Sequence, residues 1–168
     1  MTEPATTSLS FATRVLAKLP GLALKWYYKE ERLVKEVDVE VQARDQPLRI
    51  NFDPGNEFLE LKMRVWNVLP FEIELDRASI EVDCDSAFRV NAVNVDRQVI
   101  QSGKFANIGF RAMISDSQLL RLSKHSSSNT SGASGRFEFD CKVRRFSRDV
   151  VALRGIHLTR LNVNMRQP

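Results

Sequence analysis

From residue 34 onward, apolar and polar side chains alternate with a period of two. Val37, Val39 and Val41 alternate with Glu36, Asp38 and Glu40, and Leu59, Leu61, Met63 and Val65 alternate with Glu60, Lys62 and Arg64. Ile108, Phe110, Ala112 and Ile114 form a third such face; Phe137, Phe139, Cys141 and Val143 form a fourth. Short segments with one dry face each predict an antiparallel, immunoglobulin-like β-sandwich in a mainly β fold. The parity slips once: Ile73 and Leu75 are odd, whereas Ile80, Val82 and Cys84 are even. One extra residue must be absorbed within 76–79, which predicts a bulge or a tight bend.

The stretch "NVLPFEIEL", residues 67–75, interrupts two otherwise well-paired segments. Asn67 offers side-chain hydrogen bonds to nearby backbone, and Pro70 lacks a donor and holds Leu69 extended. The segment is expected to be an edge break that blunts the sandwich against pairing with another chain, with the ring of Phe71 in the core. A helix is predicted over 115–125, "SDSQLLRLSKH", which opens on capping residues and carries Leu119, Leu120 and Leu122. The serine- and glycine-rich run 126–135 that follows is expected to bury nothing and to be mobile.

The N-terminal stretch 9–28, "LSFATRVLAKLPGLALKWYY", has a different period. At roughly 100° per residue, Arg14, Lys18, Lys25, Lys29 and Arg32 fall within a sector about 60° wide, with Leu16, Leu19, Leu22, Ala23, Trp26 and Tyr27 on the other side. Pro20-Gly21 kinks this amphipathic helix or divides it into two. Arg14, Lys18 and Lys25 within the stretch argue against a transmembrane span, and the first residues, with Glu3 and no basic cluster, do not suit a secretory signal. The chain thus divides into an N-terminal helical segment, 1–33, and a sandwich domain, 34–168. The helix either packs on its own sandwich or docks on an anionic membrane surface or a protein partner. For docking, the contact residues are Arg14, Lys18, Leu19, Leu22, Lys25, Trp26, Tyr27 and Lys29.

Composition narrows the function classes. The 168 residues, 43% hydrophobic, fit one ordinary domain plus an appendage. The net charge is +4, but most of it belongs to the first 35 residues, so the body offers no basic face for nucleic acid. Arg136, Lys142, Arg144, Arg145 and Arg148 gather around one segment, yet Glu138 and Asp140 lie among them. Phe137 and Phe139 share core parity instead of forming a stacking platform. His125 and His157 have no partner at metal-ligand spacing, and "SGASG" lacks the strand-to-helix setting of a nucleophile elbow. Glu72, Glu74, Asp76, Glu81, Asp83 and Asp85 are expected on wet faces, which do not desolvate an acid for catalysis. A calcium-binding role for Asp83 and Asp85 is the minor alternative. The expectation is a non-enzymatic chain with no cofactor and no metal. Cys84 and Cys141 are too few for a disulfide framework and are expected buried and free, with a single bridge between them as the minor alternative, so the expected compartment is a reducing, intracellular one, peripheral to a membrane if the helix docks.

The order of parts resembles the WHy domain of the group-two late-embryogenesis-abundant proteins over about residues 34–165. Asn67, Pro70 and Phe71 match that family's strand break, and Ser102-Gly103 matches its small-residue turn; Val68 and Leu69 depart from it, since the family has Pro directly after the Asn. The resemblance implies stress protection, membrane-associated roles, and lipid or protein contacts. The functional expectation is a membrane-peripheral binding module docking through the basic N-terminal helix. The alternatives are a soluble, desiccation-type protective protein and an accessory subunit of a larger complex.

Overall fold

The computed structural model describes residues 21–42, 46–84, 87–124 and 130–163. Among the described residues, two short helices, α1 (Gly21–Tyr27) and α2 (Glu30–Lys35), precede the strands β1 (Val37–Val41), β2 (Leu48–Asn51), β3 (Phe58–Asn67), β4 (Ile73–Cys84), β5 (Phe88–Asn94), β6 (Gln98–Ile100) and β7 (Phe105–Met113). Helix α3 (Asp116–Lys124) then leads to β8 (Thr130–Cys141) and β9 (Phe146–Leu161).

The strands form two layers. In the first, β1 and β2 lie end to end along one side of β3, and β7 pairs with the other. In the second, β5 and β6 lie end to end along β4, followed by β8 and β9. The alternation read from the sequence places Leu59, Leu61, Met63 and Val65 fully inside, and Phe110 of β7 meets Phe137 of β8 edge-on at 5.9 Å across the two layers. The predicted bulge is present: register against β8 shifts between Leu75 and Arg77, so Ile73, Leu75, Ala78, Ile80, Val82 and Cys84 all reach the core.

The mainly β, sandwich-like architecture therefore stands, with one departure from the antiparallel expectation. The 16-residue β9 belongs to both layers. It pairs antiparallel with β8 as far as His157, then runs parallel to β2 from Leu158 to Leu161. Two register shifts against β8 accompany the turn from one layer to the other, and Gly155, within the shift nearer the crossing, has φ of 72°, a conformation that costs glycine little.

The serine- and glycine-rich run differs from expectation. Residues 130–135 are the first half of β8, between β4 and β9, with Ser131 and Ala133 buried. Small side chains let two backbones approach closely here: a Cβ on Gly135 would lie 2.3 Å from the Ser79 carbonyl oxygen. Composition suggested a linker because small residues look the same in a linker and in a tightly spaced strand. His125 and Asp85 lie outside the described residues. Helix α3 buries Leu119 and Leu122 but leaves Leu120 outside.

Candidate functional site

The region that gathers the most sequence-predicted residues is the end of the sandwich where β3 and β8 finish and β4 and β9 begin. Helix α1, described over Gly21–Tyr27, packs on the sandwich with one face. Leu24 of α1 and Tyr28, which follows the helix directly, face inward one turn apart, joined by Leu33 of α2; all three are buried. The Tyr28 ring meets Phe71 edge-on at 5.2 Å, and Tyr27 meets Tyr28 at 5.0 Å. Arg32 lies over Tyr27 at 4.1 Å, and Lys142 over Phe71 at 5.1 Å. Burial pushes the Tyr28 phenol above its ordinary range, with Glu36 adding to the shift and Arg32 opposing it. The Arg32 guanidinium is held further above its usual value, chiefly by its 2.9 Å hydrogen bond to Glu36.

The outer face of the helix pair is different. Trp26 is 80% exposed and Tyr27 46%, flanked by exposed Lys25 and Lys29. The β8–β9 turn brings further cations to the same end. Arg144 donates to the Lys25 carbonyl at 3.2 Å, and Arg148 donates to the Val34 carbonyl. An open cleft of about 710 Å³ lies between the helix pair and Arg144, lined by Lys25, Trp26, Lys29, Glu30, Glu31, Val34 and Arg144. Arg145 is paired with Asp140 at 3.2 Å and Arg32 with Glu36, whereas Lys25, Lys29, Lys142 and Arg144 have no carboxylate within salt-bridge distance among the described residues.

Beneath this helix pair sits the strand break. Asn67 is 1% exposed. Its Nδ2 donates to the carbonyls of Phe71 at 2.8 Å and Ile100 at 2.9 Å, and its Oδ1 accepts from Leu69 N–H at 3.0 Å. Gly103, at φ of 69°, donates its N–H to the Asn67 carbonyl, and the Ser102 hydroxyl donates to the Leu69 carbonyl. Asn67, Phe71, Ser102 and Gly103 thus form one knot. It corrects the edge-break expectation: β3 has neighbours on both sides, and residues 68–72 carry the chain from the first layer to the second. Pro70 is half-buried within that crossover. A central strand must end where the chain changes layer, and Asn67 replaces the lost ladder with its own amide.

Of the predicted contact residues, Lys25, Trp26, Tyr27 and Lys29 come together on the outer face, and Leu22 lies within α1. Arg14, Lys18 and Leu19 lie outside the described residues. Sequence reasoning missed Leu24 and Tyr28 as the anchoring face, although their spacing of four was a visible signal, and missed Arg144, which only tertiary structure brings to Lys25. Cys84 and Cys141 are free, and Cys84 is buried as expected, but Cys141 is only partly so, its thiol donating to the Arg144 carbonyl at 3.2 Å. Asp83 is ion-paired with Arg89 at 3.4 Å. Among the described residues, no group of three or more His, Cys, Asp or Glu is placed to hold a metal ion, and no helix is long and apolar enough to cross a membrane.

The sequence matches no protein-family model and no curated protein. Solved structures do share its shape. The crystal structure of Northeast Structural Genomics Consortium target SoR45 is similar at a TM-score of 0.51 and 8% identity, covering 74% of this chain and 89% of that one. That likeness is one of fold. A crystal structure described as a candidate ApaA protein from Bordetella pertussis is similar at a TM-score of 0.47 and 6% identity, over 72% of this chain and 93% of its own. A solution structure described as a candidate late embryogenesis abundant protein is similar at 0.44 and 11% identity, over 88% of each chain.

Proposed function

We propose that the protein is a non-enzymatic, membrane-peripheral binding module that meets anionic lipid with the outer face of α1 and the β8–β9 turn. The observation that carries this is Trp26, 80% exposed on an ordered helix between Lys25, Lys29 and Arg144. An indole held in water on a docked helix leaves a large apolar surface unburied. Amphipathic rings flanked by cations suit the headgroup region, where the ring sinks and the ammonium groups stay at the phosphates. Glu30 and Glu31 line the same cleft and oppose part of the attraction that Lys25, Lys29 and Arg144 exert on an anionic surface.

Each Lys or Arg at an anionic surface contributes about 1 kcal/mol, screened by salt. The protein should therefore sediment with phosphatidylserine-containing vesicles at low salt, release as salt rises, and ignore phosphatidylcholine vesicles. Trp26 emission should shift to the blue on binding. Trp26→Ala should weaken binding, and Lys25→Glu with Lys29→Glu should lower affinity roughly 30-fold or more, from about 1 kcal/mol lost per cation plus repulsion by the new anions. Failure of the intact protein to sediment with anionic vesicles at low salt would overturn the proposal. The WHy resemblance would then favour a soluble protective role through weak surface contacts.

A further inference from the structure

The opposite end of the sandwich, where β3 begins and β9 finishes, carries a separate cavity. It has a volume of about 580 Å³ and lies between α3, the β2–β3 turn and the end of β9. Phe52, Pro54, Leu119, Leu120 and Val163 supply its apolar wall, and Arg160 is the charged group among the described residues that line it. On β9, Arg160 shares the parity of buried Ile156 and Leu158 and sits opposite buried Ile50 of β2, so its register directs it inward. Its Nε and Nη2 are both buried and have no hydrogen-bond partner.

An inward guanidinium without an acceptor is unfavourable in an otherwise apolar setting. The cost is offset when a ligand supplies the missing anion. We infer that this cavity binds a small amphipathic acid, one carboxylate on a hydrocarbon body, with the carboxylate on Arg160 and the hydrocarbon against Leu119, Leu120 and Phe52. The planar fork of Arg matches the two oxygens of a carboxylate. One cation suits a monoanion better than a phosphate dianion. The volume falls within the range of roughly 300–1,000 Å³ that single small ligands occupy.

Isothermal titration of the full chain with octanoate, octanol and acetate separates the contributions of head and tail. Octanoate should bind, octanol should bind about tenfold or more weakly for want of a charge-assisted hydrogen bond, and acetate should give no heat. Arg160→Met should abolish the preference for octanoate over octanol without lowering the melting temperature of the unliganded protein. If that variant does not fold, Leu120→Glu decides instead. Leu120 is 57% exposed, so the fold should survive, and a carboxylate at the cavity wall should repel or displace octanoate. Equal affinity for octanoate and octanol, absence of octanoate binding, or unchanged octanoate affinity in Leu120→Glu would each overturn the inference. So would a dimer of the intact chain that Leu120→Glu dissociates, since a second copy would then be the occupant. Trp26→Ala should leave octanoate binding unchanged, which keeps this inference independent of the membrane reading.

Discussion

Replacing Asn67 by Ala tests the knot on which both the layer crossing and the helix platform depend. Three hydrogen bonds would be lost, to the Phe71 and Ile100 carbonyls and from the Leu69 N–H, at 2.8, 2.9 and 3.0 Å. Leu69 is fully buried and Phe71 and Ile100 nearly so, so water cannot readily take the place of the amide. An orphaned buried polar group costs about 1–3 kcal/mol. Partial relaxation and the coupling of the three groups make the sum less than additive, and the expected loss is about 3–5 kcal/mol. Against a total of roughly 5–15 kcal/mol, this removes a large share of the stability. Urea denaturation followed by the emission of Trp66, adjacent to Asn67 and 4.7 Å from Phe105, should show the midpoint falling with the slope unchanged. Asn67→Asp should be at least as damaging, because it keeps the acceptor but points an anion at two carbonyls. Pro70→Ala is the control: it alters no hydrogen bond, and should cost only about 0.4–1 kcal/mol through the freer unfolded chain. A loss of under about 1 kcal/mol for Asn67→Ala would refute the reasoning, since it would mean that water or backbone relaxation satisfies all three groups.

Gly135→Ala places a methyl 2.3 Å from the Ser79 carbonyl and 3.0 Å from the Ile80 Cα. Both are backbone atoms of the paired strand, so the variant should lose at least about 1–3 kcal/mol in the same denaturation assay. Tyr28 has a folded-state pKa above its unfolded value of about 10. Its neutral form therefore stabilises the fold fully below about pH 10, and this contribution is lost as pH rises through the higher folded value. Stability measured at increasing alkaline pH should fall, and Tyr28→Phe should flatten that fall. Thiol labelling of native protein should find one reacting cysteine, Cys141, and one protected, Cys84; denaturation without reductant should expose both, and a count of zero would reveal a bridge.

The parts of the fold that were legible in the sequence are those governed by local periodicity. Strand parity in β3, β7 and the second half of β8 follows from one side of each strand being dry, and the bulge after Leu75 follows from a parity slip that no straight strand could absorb. The parts that were not legible depend on what lies opposite. "SGASG" cannot show whether its small side chains serve flexibility or a backbone approach, because the clash that requires Gly135 comes from Ser79, far away in sequence. Pro70 was visible as a break, but whether a break ends an edge or carries the chain between layers depends on partners on both flanks of β3. The parallel pairing of β2 with the end of β9 left no local signature at all. Arg160 shows the same limit in chemistry: a cation at core parity in the last strand was readable, whereas the cavity beside it needed α3 and Phe52 in place.

The packing of the N-terminal helix and its proposed docking, posed as alternatives by its amphipathic pattern, fall on different residues among α1 and the residue that follows it. Leu24 and Tyr28 face the sandwich, while Lys25, Trp26 and Tyr27 face outward. Deleting residues 1–28 therefore cannot distinguish the two roles. It would expose the Phe71 side of the platform and leave Leu33 without the packing of α1. Losing the burial of Leu24 and Tyr28 alone should cost roughly 3–6 kcal/mol at about 1.5–3 kcal/mol for each large apolar side chain. A truncated protein that fails to bind vesicles would fail for either reason. Substitutions on the outer face separate them, because Trp26→Ala and Lys25→Glu touch no buried group. Their melting temperatures should match that of the wild type within about 2 °C, given how little exposed substitutions contribute. If those variants destabilise the fold as much as Leu24→Ala does, the outer face is also structural and the division of labour within α1 is wrong. If they melt like the wild type yet lose anionic vesicles, a single helix holds itself to the domain on one side and the domain to the membrane on the other.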